Sequence, residues 1–339
     1  MAKSGRRPTQ IDVARQAGVS QALVSYVFTP NARASVPAST RQRVLDVADQ
    51  LGYVPNRAAR HLRMQRTHTL VCIIPDITNP FYPRFARGIQ DVAEAHDYDL
   101  VMRNTDGRLE NEARCLRSVL QGGADGVIGV FFHTTATELA ELLARQIPVV
   151  RLEPIPKPPG PLPLDNLCVD NVAAARSAVA LLIARGHRRI AMISGRAGPF
   201  AARLRGYRDA LAGGGLAFDE DLVEYGDFRE EGGYGAMQAL LAKPVTPTAV
   251  FAANDEMAMG ALRALAEAGR RVPDDVAVVG FDDIPVARLT SPPLTTVAQF
   301  PDRLGRRAAE MLLERLRGEA PAGGRGEEIP FELVIRGSA

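Results

Sequence analysis

Two groups of side chains in this chain of 339 residues are spaced as though to do chemistry, and they ask for different partners. The first is cationic. Residues 1–66 carry 11 Lys and Arg against 3 Asp and Glu, whereas the rest of the chain carries 30 against 36. A basic head on a mildly acidic body suits a polyanion, and nucleic acid is the commonest, because each neutralised phosphate releases condensed counterions. The second group is polar and aromatic and comes after short apolar runs. It comprises Asp76-Ile77-Thr78-Asn79-Pro80-Phe81-Tyr82, Gly226-Asp227-Phe228, Ala253-Asn254-Asp255-Glu256, Gly280-Phe281-Asp282-Asp283 and Leu294 to Gln299, with Arg203 opening a helix after a turn at Gly195 and Gly198. Taken singly, Asn79-Pro80 is a turn, Asp282 a helix cap and Phe228 a core ring. Together, carboxylates, amides and a guanidinium beside aromatic plates suit a neutral polyhydroxyl ligand: rings stack on sugar C–H faces, and bidentate partners discriminate hydroxyls.

Metal and catalytic chemistry lack such spacing. Cys72, Cys115 and Cys168 are odd in number and far apart, and His61, His68, His96, His133 and His187 are scattered without a nucleophile partner. There is no Gly-x-Gly-x-x-Gly after a strand, no Walker loop and no nucleophile elbow. No cofactor, metal or catalytic residue is therefore expected, and an α/β enzyme is the weaker reading. The cysteines read as buried thiols of a reducing cytosol, which makes the expected location cytoplasmic. No run approaches the ~18 apolar residues of a membrane helix. Pro8-Thr9-Gln10-Ile11-Asp12 is no signal-peptide core, which argues against an exported solute-binding protein.

The head reads as three short helices. Thr9 caps the first, with Asp12 at the reciprocal position of a capping box, and Ile11, Val13, Ala14 and Ala17 form its apolar stripe. Gly18 supplies a turn with φ > 0. Ser20 caps the second helix, Gln21 to Phe28, which turns Leu23, Val24 and Val27 inward and leaves Gln21, Ala22, Ser25 and Tyr26 outside. Two short helices across a tight glycine turn make a helix-turn-helix, whose second helix enters the major groove of DNA. Ser39 and Gln42 are expected to box a third helix with Val44, Leu45, Val47, Ala48 and Leu51 inward, ended by Gly52. Beyond it, Asn56 could cap a helix of about two turns carrying Arg57, Arg60 and Arg63; so short a helix orders only against phosphates or a partner copy. Leu62 on that basic face suits an apolar wedge between base steps.

These strings resemble the LacI/GalR (lactose-repressor) family of bacterial regulators. The resemblance rests on Thr9-Gln10-Ile11-Asp12-Val13-Ala14, Ala17-Gly18-Val19-Ser20, Val24-Ser25 and Leu51-Gly52-Tyr53-Val54-Pro55-Asn56-Arg57-Ala58-Ala59. It implies that Gln21, Ala22 and Tyr26 face bases, that Leu62 kinks the central step and that Ala59 lies beside it in the minor groove. With these go Thr9, Ser20, Ser25, Asn56, Arg57 and Arg60 as the expected DNA-contacting set. The family usually has Arg where this chain has Tyr26, so no operator preference carries over. The link before Ser39 is also longer than usual.

Behind the head, β-rich runs alternate with amphipathic helices: Leu70 to Ile74, a helix near Pro83 to His96, Asp99 to Arg103, Gly126 to Phe131, Val149 to Leu152, then Arg189 to Ser194, Thr248 to Ala252 and Val276 to Phe281. This rhythm predicts an α/β body of two doubly wound, parallel-sheet lobes with a ligand cleft at the carboxyl ends of their strands. Pro154 to Pro163 reads as a surface loop, and Leu294 to Gln299 as a crossover back to the first lobe. The expected divisions are 1–55 for the helix-turn-helix domain, 56–67 for a hinge helix and linker, and 68–339 for an effector-binding and dimerisation domain. Within the last, the first lobe takes about 68–168 and 299–324, the second about 169–298 and 325–339.

The body resembles the same family and the periplasmic sugar-binding proteins of similar fold. By motif match this implies effector contacts at Asn79, Phe81, Tyr82, Arg203, Phe228, Asn254, Asp282 and Gln299. One position departs: many relatives have an Asp-Arg pair where this chain has Glu153-Pro154. A nucleoside, polyol or acid sugar thus stays open beside a sugar as effector. The function expected is a DNA-binding transcription regulator, in the main a repressor. It would work as a homodimer on a near-palindromic operator, since no leucine-heptad tail comes after Glu328, and under a small polar effector of undetermined sign. A protein co-effector is neither supported nor excluded.

Overall fold

The computed structural model describes residues 7–28, 36–54 and 66–339. The chain divides into two compact units, Met1–Arg66 and Thr67–Ala339.

In the head, α1 (Gln10–Ala17), α2 (Gln21–Val27) and α3 (Ala38–Leu51) close around Val13, Ala14, Ala17, Val24, Val27, Val44, Val47 and Ala48. The Asp12 carboxylate accepts from the Thr9 amide at 2.9 Å and the Thr9 hydroxyl at 2.7 Å, so the capping box forms. Gly18 takes φ 66°, and Ser20 Oγ accepts from the Leu23 amide at 3.2 Å. Tyr53, buried, packs edge-on against Phe28 at 5.6 Å. Three expectations fail. The third helix begins at Ala38 behind Pro37, with no side-chain cap, and Gln42 donates to Asp46 instead of boxing Ser39. The fixed φ of Pro37 already sets that helix start. Ile11 and Leu45 are 51% and 37% exposed rather than buried, because so small a core is filled by valine and alanine.

The body holds two six-stranded sheets. The first runs β11-β5-β4-β3-β1-β2 and the second β12-β10-β9-β8-β6-β7. The first comprises β1 (Thr69–Ile74), β2 (Asp99–Asn104), β3 (Gly126–Val130), β4 (Val149–Glu153), β5 (Leu164–Cys168) and β11 (Gly326–Glu328), and all its pairings are parallel. It is covered on one face by α4 (Phe81–Glu94) and α11 (Pro301–Arg317), and on the other by α5 (Leu109–Ser118) and α6 (Ala136–Ala144). The second comprises β6 (Ile190–Ser194), β7 (Val223–Tyr225), β8 (Ala249–Ala252), β9 (Ala277–Asp282), β10 (Thr295–Ala298) and β12 (Glu332–Val334), with helices α7 (Asn171–Ala184), α8 (Phe200–Gly213), α9 (Glu230–Leu241) and α10 (Asp255–Glu267). Only β12 runs antiparallel there. Runs such as Thr69–Ile74 and Ala249–Ala252 are buried nearly throughout, as sheets covered on both faces require.

One reading and one lobe boundary differ from expectation. Thr295–Ala298 is a buried strand of the second sheet rather than a crossover; the crossing comes at 299–300. Gly326–Glu328, expected in the second lobe, pairs with β5 in the first, so the chain crosses between lobes a third time near 329–331. Charge explains the second: Glu327 accepts from Arg307 at 2.6 Å, and Arg325 and Arg315 both close on buried Asp165.

Candidate functional site

The sheet orders place the topological switch points between β1 and β3 and between β6 and β8. Loops leaving those strands should form a ligand crevice. They line a cavity of about 640 Å³ between the two sheets. All eight residues expected from the family pattern stand in its wall: Asn79, Phe81, Tyr82, Arg203, Phe228, Asn254, Asp282 and Gln299.

Arg203, 5% exposed, sits in the first turn of α8 rather than at its start. Its Nε donates to Asn171 Oδ1 at 2.7 Å, Nη1 donates to the Ala253 carbonyl, and Nη2 lies 3.8 Å from Asp282 Oδ1. The guanidinium rests 3.8 Å from the centre of the Phe281 ring. Gln299 Nε2 donates to Asp282 at 2.6 Å. Burial pushes the Asp282 carboxyl up to about 6, against the pull of Arg203 and Gln299. Behind it, Asp255 is fully buried and raised well above the usual carboxylate range by burial and by Asp282; it accepts from the Ile284 amide and the Thr296 hydroxyl. Burial lowers Arg203 in turn.

Asn254 caps α10 through the Met257 amide and donates to the Phe228 carbonyl at 2.8 Å. Phe228 takes φ 67°, and its ring occupies the space where a Cβ at Gly195 would stand, so only glycine fits beneath the plate. On the first lobe, Asn79 accepts from the Phe81 amide at 2.9 Å, and the Phe81 and Tyr82 rings meet edge-on at 5.2 Å. Across the mouth, Arg229 of the second lobe donates to Asp76 of the first at 3.1 and 3.3 Å. Burial would raise Asp76, but hydrogen bonds from Thr78 and Arg229 outweigh it and hold the carboxyl low.

On the head, Gln21, Ala22 and Tyr26 stand exposed on α2, with Tyr26 54% exposed. Ser25 is half-buried, and Thr9 and Ser20 serve the caps described above. Asn56, Arg57, Ala59, Arg60 and Leu62 lie outside the described residues. Among the described residues no group of His, Cys, Asp and Glu could hold a metal ion, and no helix is long and apolar enough to cross a membrane.

Comparison with known proteins identifies both units. A model of the bacterial regulatory proteins of the lacI family matches residues 9–56, and one of periplasmic binding protein-like domains matches 179–339. The chain is 38% identical to the HTH-type transcriptional regulator CelR of Thermobifida fusca over 325 residues, 93% of each protein. It is 37% identical to the ribose operon repressor of Escherichia coli K12 over 336 residues, 98% of this chain and 99% of that one.

This chain belongs to the lacI family.

Among solved structures, the lac repressor dimer bound to operator and an anti-inducer matches with a TM-score of 0.84 at 26% identity, covering 98% of this chain and 99% of that one. A CelR–cellobiose complex matches with 0.72 at 35% identity, covering 98% and 100%. As a family member, the chain is a DNA-binding transcriptional regulator with a helix-turn-helix head.

Several cavity residues escape a reading of the sequence. Asn171 orients Arg203 from α7, a neighbour 32 positions away that only the fold reveals. Phe132, after β3, reaches across to the turn at Gly198, where a side chain would collide with its ring. Arg151 and Lys157 join Glu153 in the first-lobe wall. The family's Asp-Arg pattern points to the position after Glu153, where proline stands, whereas the guanidinium here is Arg151, two residues before Glu153.

Proposed function

We propose that this lacI-family regulator is a homodimeric repressor of the cytosol, without enzymatic activity, whose grip on a near-palindromic operator is set by a neutral sugar in the cavity. The observation that carries the effector assignment is the buried Arg203–Asp282 pair, with Gln299 and Asn171 on either side, the Phe228 plate in the same wall and Tyr82 in the wall of the first lobe. A guanidinium and a carboxylate that share a wall offer a donor and an acceptor to adjacent hydroxyls, and water is excluded by the rings. The resemblance to a protein solved with cellobiose supports the same ligand class.

On the head, Gln21, Ala22 and Tyr26 read bases, while Thr9, Ser20 and Ser25, with Asn56, Arg57 and Arg60, hold the backbone; Ala59 and Leu62 enter the minor groove. Two copies are needed because a palindromic site presents two half-sites. Sugar biases lobe closure, and closure biases the spacing of the paired linkers. Only a ligand that binds the two arrangements unequally can shift DNA affinity, and the coupling is reciprocal.

The test is calorimetric titration of the full chain with glucose, ribose, cellobiose and maltose, beside operator binding at fixed salt. Arg203→Ala is expected to weaken the binding of any bound sugar by about a hundredfold, since it leaves Asp282 buried without its partner. A variant that binds and responds as the wild type does removes the cavity from the account.

A further inference from the structure

The chain enters the body through a clasp at the amino end of the first sheet, the end away from the cavity. Asp125 comes immediately before β3, and both its oxygens are engaged. Oδ1 accepts from the Thr67 amide at 2.6 Å and the Thr67 hydroxyl at 2.7 Å, and Oδ2 accepts from the His68 amide at 2.9 Å. The Asp125 amide in turn donates to the Thr69 carbonyl at 2.8 Å. His68 is held from a second side. Its carbonyl accepts from the amide of Asp99, the first residue of β2, at 2.9 Å, and its ring lies 5.3 Å from that of buried Tyr98. This grip works against the residue's own preference: φ is 50°, and Nε2 is buried without a hydrogen-bond partner. A residue with a Cβ keeps such a conformation only where its surroundings impose it, and an unpaired buried nitrogen costs free energy. An extended entry into β1 would need neither.

What the clasp grips is rigid. β3 lies between β1 and β4, paired with both, and all five of its residues are buried. With ~3.3 Å per residue it is a rod of roughly 17 Å. Asp125 stands at one end; just past the other is Phe132, which meets the turn at Gly198 of the second lobe. The entry point of the chain therefore moves with the first sheet as one body and not on a loose tether. Resting on the reading of this chain as an effector-controlled regulator, we propose that Asp125 is a positioning residue for DNA binding. It fixes the place and direction in which the linker leaves the body, so that a change of lobe arrangement reaches the linker. Without it, residues 67 and 68 fray, the linker gains freedom, and operator binding must order it again.

The experiment uses full-length wild type, Asp125→Asn, Thr67→Val and the double variant. It measures affinity for the selected operator, for random duplex and for cellobiose or maltose, and the factor by which the sugar shifts operator affinity. Asparagine offers one acceptor oxygen where aspartate offers two, so either the His68 amide or Thr67 loses its partner. Asp125→Asn should weaken operator binding about tenfold and change random-duplex and sugar affinity by less than about twofold. It should cut the sugar-induced shift by about threefold or more, the mark of a lost coupling. Thr67→Val removes one hydroxyl at a half-buried position. It should act in the same direction at a few-fold, which guards against misfolding of the first variant. The double variant should fall within about twofold of Asp125→Asn, since both act on one clasp. A role in stability alone would lower the melting temperature and leave these affinities and the shift at their wild-type values. That result, or a parallel loss of operator and sugar affinity, would overturn the proposal. If the wild type prefers its operator but answers no sugar, the sugar reading fails alone, and an unchanged operator-to-random ratio in Asp125→Asn still overturns the clasp. If the wild type prefers no duplex, the regulator reading fails and takes the clasp with it.

Discussion

The head and the cavity solve recognition in opposite ways. The head spends its few apolar residues on a core of valine and alanine and leaves its reading face in water, with Gln21, Ala22 and Tyr26 exposed. The cavity hides its chemistry: Arg203, Asn254, Asp282 and Gln299 are each 5% exposed or less, and every one is held by a hydrogen bond to another group of the protein. A polyanion as large as DNA supplies its own long-range field, so an exposed cationic module suffices. A small neutral ligand supplies none, so its site must be preorganised and dry.

The contrast is broken most strongly by a change confined to one unit. Gly18→Val puts a β-branched residue at φ 66°, which costs about 1–3 kcal/mol in a head with little to spare. Operator affinity should fall tenfold or more while sugar affinity, measured on the same preparation, stays put; parallel loss of both would show that the units are not independent. Tyr26→Ala should cut the ratio of specific to non-specific DNA binding by roughly tenfold with non-specific affinity unchanged, as expected for a base contact of ~1–3 kcal/mol. Equal losses on both DNAs would assign Tyr26 to the backbone.

A pH series sharpens the cavity side. The Asp282 pKa is about 6 in the fold against an ordinary 3.8, so the folded state keeps this proton to higher pH than the unfolded chain does. Its contribution to stability is present at low pH and is lost as pH rises from 3.8 to about 6. Sugar binding runs the other way, because hydroxyls need the carboxylate: affinity should rise several-fold between about pH 5 and 7 in wild type and lose that step in Asp282→Asn. A flat wild-type profile would take Asp282 out of the contact. The smallest effect is expected at the mouth, where Arg229→Ala removes a half-exposed ion pair between the lobes. It should weaken sugar by no more than about fivefold, and an unchanged affinity would mean that the pair does not favour the closed arrangement.

How legible each region is in the sequence falls along the same division. The head's caps are local, so Thr9 with Asp12, Gly18 and Ser20 can be read from spacing of a few residues. The third helix misleads because Pro37 sets its start without a side-chain cap. In the body, apolar strands are plain, but β5, with Asp165 and Asn166 in its middle, goes unread. Asp165 is tolerated there because Arg315 and Arg325, 150 and 160 positions away, neutralise it. Short β11 arises from the same pairing. The eight cavity residues are reachable through family motifs, whereas Asn171, Phe132 and Arg151 act through partners that no local pattern shows.

The account is tested most directly by operator affinity with and without sugar. Duplexes selected from a random pool by the full chain, then titrated at fixed moderate salt with and without saturating cellobiose or maltose, should show a strong preference over random competitor. The bound sugar should shift that preference at least tenfold, and the shift should be missing in Arg203→Ala. No preference for any duplex under either condition, or a preference that ignores every sugar the cavity binds, would contradict it.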